Sequence, residues 1–158
     1  MKWSRWSLIF LILLTACAAP QEGTPPPLEP AGDTKGYYCG MNLAEHVGPK
    51  GQIHVAGEPG ALWFSSMRDA FAYLRHEGKT RRILAFYVND MGRAEWDHPQ
   101  PGTWIEAREA HFVLGASRSG GMGTVELIPF GTPSAAQDWV RRHGGRVMVY
   151  GEAAQTEW

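Results

Sequence analysis

From residue 52 onward the chain repeats itself at an offset of 66 residues, and this repeat restricts the fold more than any other feature. The offset aligns Phe64 with Phe130, Ser66 with Thr132, Ala70 with Ala136 and Leu74 with Val140. The aligned residues have matching physical jobs. Ser66 and Thr132 stand where a hydroxyl caps a helix amino terminus, Asp69 completes a Ser-x-x-Asp box, and Pro133 suits a first helical turn. Ala70 and Leu74, like Ala136 and Val140, lie four apart and share one helix face. The first unit reads as strand 52–56, a Gly-Glu-Pro-Gly turn at 57–60, strand 61–65, helix 67–76 and strand 83–89. The second reads as strand 111–116, a glycine-rich connection through Gly123, strand 124–130, helix 133–143 and strand 146–150. The expected fold is α+β, two ββαβ units packed together, spanning about 36–103 and 104–158. Most aromatics fall on these elements and are expected in the core and between the units. Asp90 to Thr103, rich in Pro, Gly, Asp and His, reads as the connecting loop.

Ahead of the repeat lie three short zones. Lys2 and Arg5 precede an apolar run at 8–14 that is too short to span a bilayer, and Leu14-Thr15-Ala16-Cys17 follows. Residues 1–16 therefore read as a signal segment, and Leu-Thr-Ala-Cys is similar to a bacterial lipobox. Cys17 would become the acylated first residue of a lipoprotein, carrying a diacylglyceryl group and an amide-linked acyl chain such as palmitate. Several acyl chains make such an anchor stable, at about 0.8 kcal/mol per buried methylene. Residues 18–35 are mostly Pro, Gly, Thr and Glu, including Pro25-Pro26-Pro27, and read as a disordered tether reaching about 55 Å when extended. Without residues 1–16 the chain has 13 basic and 16 acidic side chains, a balance of −3, with arginines scattered singly or in pairs. Phosphate-backbone binding needs clustered Lys and Arg, so nucleic acid is excluded as a partner.

Lipidation at Cys17 leaves Cys39 without an intramolecular partner. An unpaired thiol in an exported chain marks a reactive or metal-binding role, or pairing with another molecule. It sits in Tyr37-Tyr38-Cys39-Gly40-Met41, and in an extended backbone positions i and i+2 share a face about 7 Å apart. Cys39 thiolate and Met41 thioether would then converge on one soft ion, and two soft sulfurs suit Cu(I). The competing reading makes Cys39 a small buried hydrophobe and Met41 a gap-filler. Met122, within Ser119-Gly120-Gly121-Met122-Gly123, has no packing neighbours in sequence. It is either the third sulfur, displayed on a loop, or an incidental exposed hairpin tip.

The ordered set of motifs resembles the NosL family of copper-binding accessory lipoproteins for nitrous oxide reductase maturation. It comprises the lipobox, Tyr-Cys-Gly-Met at 38–41, Glu-His-Val-Gly-Pro-Lys-Gly-Gln-Ile at 45–53, Trp-Phe-Ser-Ser at 63–66, Tyr-Val-Asn-Asp-Met-Gly at 87–92, Trp-Ile-Glu-Ala at 104–107 and Gly-Gly-Met-Gly at 120–123. The resemblance implies a non-enzymatic copper chaperone that binds one Cu(I) through Cys39, Met41 and Met122. It also implies delivery for assembly of the tetranuclear centre of nitrous oxide reductase, with the ABC-transporter complex and its periplasmic subunit as partners. The anchored protein would face the periplasm, and Ala18 after the acylated Cys, in place of Asp, points to the outer membrane. His46 is the best additional ligand and Met91 a secondary contact, against readings as a capping histidine and a turn residue. His54 and His111 read as sheet residues, and His76 and His143 as helix carboxyl-end residues. Two rival functions are a thiol enzyme using Cys39 with a histidine base, and a metal-free lipoprotein that binds a protein through Tyr37-Tyr38. No glycine-rich nucleophile turn or second carboxylate can be assigned by spacing, which counts against the enzyme.

Overall fold

A computed structural model describes residues 23–121 and 123–157. The signal segment, Cys17, the start of the tether and Met122 lie outside the described residues. The first sheet contains β1 (Gly51–Val55), β2 (Ala61–Phe64), β3 (Ile83–Asn89) and β4 (Trp104–Glu106), in the antiparallel order β2-β1-β3-β4. The second contains β5 (His111–Ser119), β6 (Val125–Phe130) and β7 (Arg146–Val149), in the order β6-β5-β7. Helix α1 (Met67–His76) joins β2 to β3, α2 (Pro133–His143) joins β6 to β7, and α3 (Tyr150–Gln155) follows. The α+β class and the two-unit plan hold.

Both repeat helices start as their caps dictate. Ser66 accepts the Asp69 N–H at 3.4 Å, and Thr132 accepts that of Ala135 at 3.2 Å, with Pro133 opening the first turn. Ala70 and Ala136 are fully buried at matching places, as are Phe64 and Phe130. The units then stack so that α1 lies between the two sheets. Phe71 of α1 meets Phe86 of β3 edge-on at 5.5 Å and Phe112 of β5 at 5.4 Å. Strand periodicity explains the second sheet, because side chains alternate between faces. Phe112, Leu127 and Met148 join the core around α1, while their neighbours Val113, Ile128 and Val147 pack with Trp139 and Ala136 of α2.

Three features differ from the sequence expectation. Trp104–Glu106 returns to the first sheet as an edge strand beyond the connecting loop, and α3 follows β7 directly; three and six residues are too few to show a period. Met91 stands in the expected turn after β3, with its side chain buried in the second core and its N–H bonded to the Pro129 carbonyl at 2.9 Å. Its neighbour Asp90 ties the connecting loop to the second unit, because Oδ1 accepts the N–H of Gly92 at 2.9 Å and of Gly131 at 2.8 Å.

The third difference concerns the tether. From Pro25 the chain is not a free tether but a strap docked on the outer face of the first sheet. Gln52 Nε2 donates to the Leu28 carbonyl at 2.9 Å, and its Oε1 accepts the Leu28 N–H at 2.8 Å. Tyr87 donates to the Pro25 carbonyl at 2.8 Å, and Glu29 accepts from Gly102 N–H and Trp104 Nε1. This cover explains why β1 is buried on both faces, Gln52 and His54 included. Polar groups buried beneath it need partners, and the strap backbone supplies them. Gln52→Ala removes both bonds to Leu28 and should destabilise the chain by about 1–3 kcal/mol in urea unfolding, with faster proteolytic cleavage in 23–35. Unchanged stability and cleavage would show the strap to be dispensable.

Candidate metal site

Cys39 does not lie on an extended strand. Residues 37–39 form a turn, Gly40 takes φ 65°, and the loop closes through Gly36 N–H to the Met41 carbonyl at 3.0 Å and Gly40 N–H to the Gly36 carbonyl at 2.8 Å. An antiparallel bridge between Lys35 and Asn42 seals its base. The left-handed turn at residue 40 needs glycine, and it replaces the pleated alternation expected for Cys39 and Met41. Cys39 is half-buried and its Sγ shares a hydrogen bond with Ser65 Oγ at 3.4 Å. A Cβ at Gly36 would fall 2.5 Å from that sulfur, so the thiol is tucked under the loop's own start. Met41 is 40 % exposed. Its unbranched side chain keeps three rotatable bonds.

The connection from β5 to β6 approaches the same region. Gly120 N–H bonds the Thr124 carbonyl at 3.1 Å and Gly123 N–H the Gly120 carbonyl at 2.9 Å. Gly121 lies against the segment that follows Met41. Its N–H donates to the Val47 carbonyl at 3.1 Å, and a Cβ there would fall 2.7 Å from His46 Cβ. The glycine therefore permits a backbone contact that no other residue allows. His46 is buried, with Nδ1 3.5 Å from the Gly121 carbonyl and no hydrogen-bond partner for Nε2 among the described residues. The capping reading holds, because His46 ends the short 3-10 helix Leu43–Glu45 and its N–H donates to the Leu43 carbonyl at 3.3 Å, while its ring is buried and not on the surface.

Beneath the connection lie two charged groups that sequence reasoning missed. Glu126 packs against Gly120, and its Oε1 accepts the N–H of Met67 at 3.1 Å and of Leu127 at 3.0 Å. Burial pushes its carboxyl from the ordinary 4.5 up to about 7, opposed by those two N–H groups and the Lys50 charge. Lys50 donates Nζ to the carbonyls of His46 at 2.7 Å and Gly48 at 2.6 Å. Burial lowers its ammonium to about 8, opposed by Glu126. The available signal was a single charge inside the apolar run Val125-Glu126-Leu127-Ile128, and a lysine entering the apolar strand β1. Through Glu126 these contacts tie Gly120 to the start of α1, whose cap Ser66 directly follows Ser65.

The sequence model of the NosL family matches residues 27–158, nearly all of the described chain. The chain belongs to the NosL family. It is 45 % identical over 141 residues to the copper-binding lipoprotein NosL of Achromobacter cycloclastes, covering 88 % of this chain and 73 % of that one. It is 32 % identical over 145 residues to the copper-binding lipoprotein NosL of Stutzerimonas stutzeri, covering 90 % and 74 %. The crystal structure of the copper chaperone NosL from Shewanella denitrificans superposes with a TM-score of 0.75 at 30 % identity, covering 84 % of this chain and 100 % of that one. The names of the first two relatives mark them as lipoproteins, proteins held at a membrane by acyl chains.

The raised Glu126 carboxyl gives the family fold in this chain a pH signature. Between about 4.5 and 7 the native state holds a proton that the unfolded chain has released, so this group's contribution is present at low pH and lost as pH rises through that window. In urea unfolding, wild type relative to Glu126→Gln should lose about 2 kcal/mol on going from pH 5 to pH 7.5. A pH-independent difference would place an ordinary carboxyl at position 126.

Proposed function

We propose that this chain is a lipid-anchored copper chaperone, a carrier and not an enzyme, that holds one Cu(I) between the thiolate of Cys39 and the thioethers of Met41 and Met122. The observation that carries the reading is the half-buried Cys39 held against Ser65, two residues before the Met67 N–H that binds Glu126, on which Gly120 rests. One thiolate and two neutral thioethers are soft donors suited to Cu(I). Binding expels the thiol proton, so affinity falls as pH drops. That His46 Nε2 is buried and without a partner among the described residues supports this ring as an added nitrogen ligand. Release proceeds by stepwise ligand exchange, with a thioether leaving before the thiolate.

The names of the relatives, copper-binding lipoprotein and copper chaperone, support the cargo. The resemblance of motifs supports the destination. The carrier is anchored through Cys17, faces the periplasm from the outer membrane, and supplies copper to nitrous oxide reductase through the ABC-transporter complex and its periplasmic subunit.

An anaerobic Cu(I) titration against a competing chelator tests the site. One-to-one binding is expected, abolished in Cys39→Ser and weakened by about tenfold in Met41→Ala and in Met122→Ala, the loss of one ligand worth about 1.4 kcal/mol. Binding indifferent to all three changes would refute the carrier reading and leave Cys39 as a reactive thiol.

A further inference from the structure

Two of the three proposed ligands sit on loop 36–41, whose internal hydrogen bonds close its base and leave its tip to be held by another element. That element is the carboxyl end of α1. The Tyr37 hydroxyl donates to Glu77 Oε2 at 3.0 Å and the Tyr38 hydroxyl to Oε1 at 2.7 Å. Both oxygens of one carboxylate are thus occupied by the two residues that immediately precede Cys39. Glu77 is itself fixed as the residue that ends the helix. Its N–H donates to the Tyr73 carbonyl at 2.9 Å, and its carbonyl accepts from Thr80 Oγ1 at 3.1 Å.

The rings complete the seat. Tyr37 meets Tyr73 edge-on at 5.4 Å and Phe64 at 5.9 Å, Tyr38 meets Phe64 edge-on at 6.0 Å, and the Tyr37 N–H donates to the Trp63 carbonyl at 2.7 Å. Both tyrosines remain more than two-fifths exposed, so ring packing alone leaves them free to swing.

We propose that Glu77 is a positioning residue of the copper site, a clasp whose two carboxylate oxygens hold the Tyr37 and Tyr38 hydroxyls and so set where Cys39 and Met41 stand. The proposal rests on the copper reading above. Glu77 acts through the loop and not on the metal. With the clasp closed, the loop is ordered before copper arrives; with it open, binding must order the loop at a cost in affinity. The open loop also exposes the Cys39 sulfur, which otherwise lies under Gly36 and against Ser65.

Two readouts on the full mature chain test this, one without copper: the alkylation rate of Cys39 by iodoacetamide in the metal-free protein, and Cu(I) affinity by chelator competition. Glu77→Ala should speed alkylation and weaken Cu(I) binding by about fivefold each, the scale of one net hydrogen bond, with an unchanged melting midpoint. Tyr37→Phe/Tyr38→Phe keeps the rings, loses the hydroxyls and should give the same values, with Glu77→Ala adding nothing further in that background. Glu77→Gln, whose amide accepts from one hydroxyl and donates to the other oxygen, should recover most of both. Unchanged alkylation and affinity in Glu77→Ala overturn the clasp, and so does a loss that tracks a fall in melting midpoint. Equal Cu(I) binding by wild type and Cys39→Ser overturns the copper reading instead, and the alkylation comparison still decides the clasp.

Discussion

Helix α1 is the member that both units share. Its apolar face cannot be satisfied by one sheet, because Phe71 contacts Phe86 of the first and Phe112 of the second, while Ala70, Met67 and Tyr73 are fully buried around it. Two small units that would each bury too little surface alone thereby share the core around α1, with the second cluster packed beneath α2. Everything proposed for copper hangs from the two ends of this helix. At its start, Ser65 meets the Cys39 sulfur and the Met67 N–H binds Glu126, on which Gly120 rests. At its finish stands Glu77, which takes the two tyrosine hydroxyls.

This arrangement accounts for an expensive choice. A carboxylate and an ammonium inside a protein cost several kcal/mol each before their attraction is counted, yet Glu126 and Lys50 are both buried. Each also serves a loop. Lys50 gathers the His46 and Gly48 carbonyls, and Glu126 caps the Met67 and Leu127 N–H groups while filling the space that Gly120 leaves. Polar side chains can specify a loop conformation in a way that apolar packing, being non-directional, does not.

What the sequence makes legible follows from range. Ser66, Thr132, Pro133 and the four-residue spacing of Ala70 and Leu74 act within a turn or two, so both repeat helices are readable to the residue. The outer-face strap is not, because Pro25 to Glu29 shows no periodicity and its partners, Gln52, Tyr87 and Trp104, lie far along the chain. Low apolar content reads as disorder when the bonds that order it are polar and distant. For the same reason Cys39 looks like part of a strand: the hydrogen bonds that fold loop 36–41 into a turn depend on the bridge between Lys35 and Asn42 and on Trp63. Glu77, a surface glutamate in sequence, becomes notable only when two hydroxyls arrive from forty residues away.

The strap also changes what the anchor proposed at Cys17 implies. A free tether through residue 35 would leave the domain about 55 Å of reach. Docking from Pro25 leaves only the eight residues from Cys17 to that point, at most about 28 Å when fully extended. The strap begins beside Val55 and His54, at one end of β1, whereas Ser65 and the Cys39 loop stand past Phe64, which pairs with Gly51 at the other end. The chain therefore enters at the end of the sheet remote from the sulfur loops. Were Cys17 acylated as proposed, a short leash attached at that end would keep the domain near the bilayer with the Cys39 loop at the far end of the sheet, whereas a long flexible tether would set no such limit.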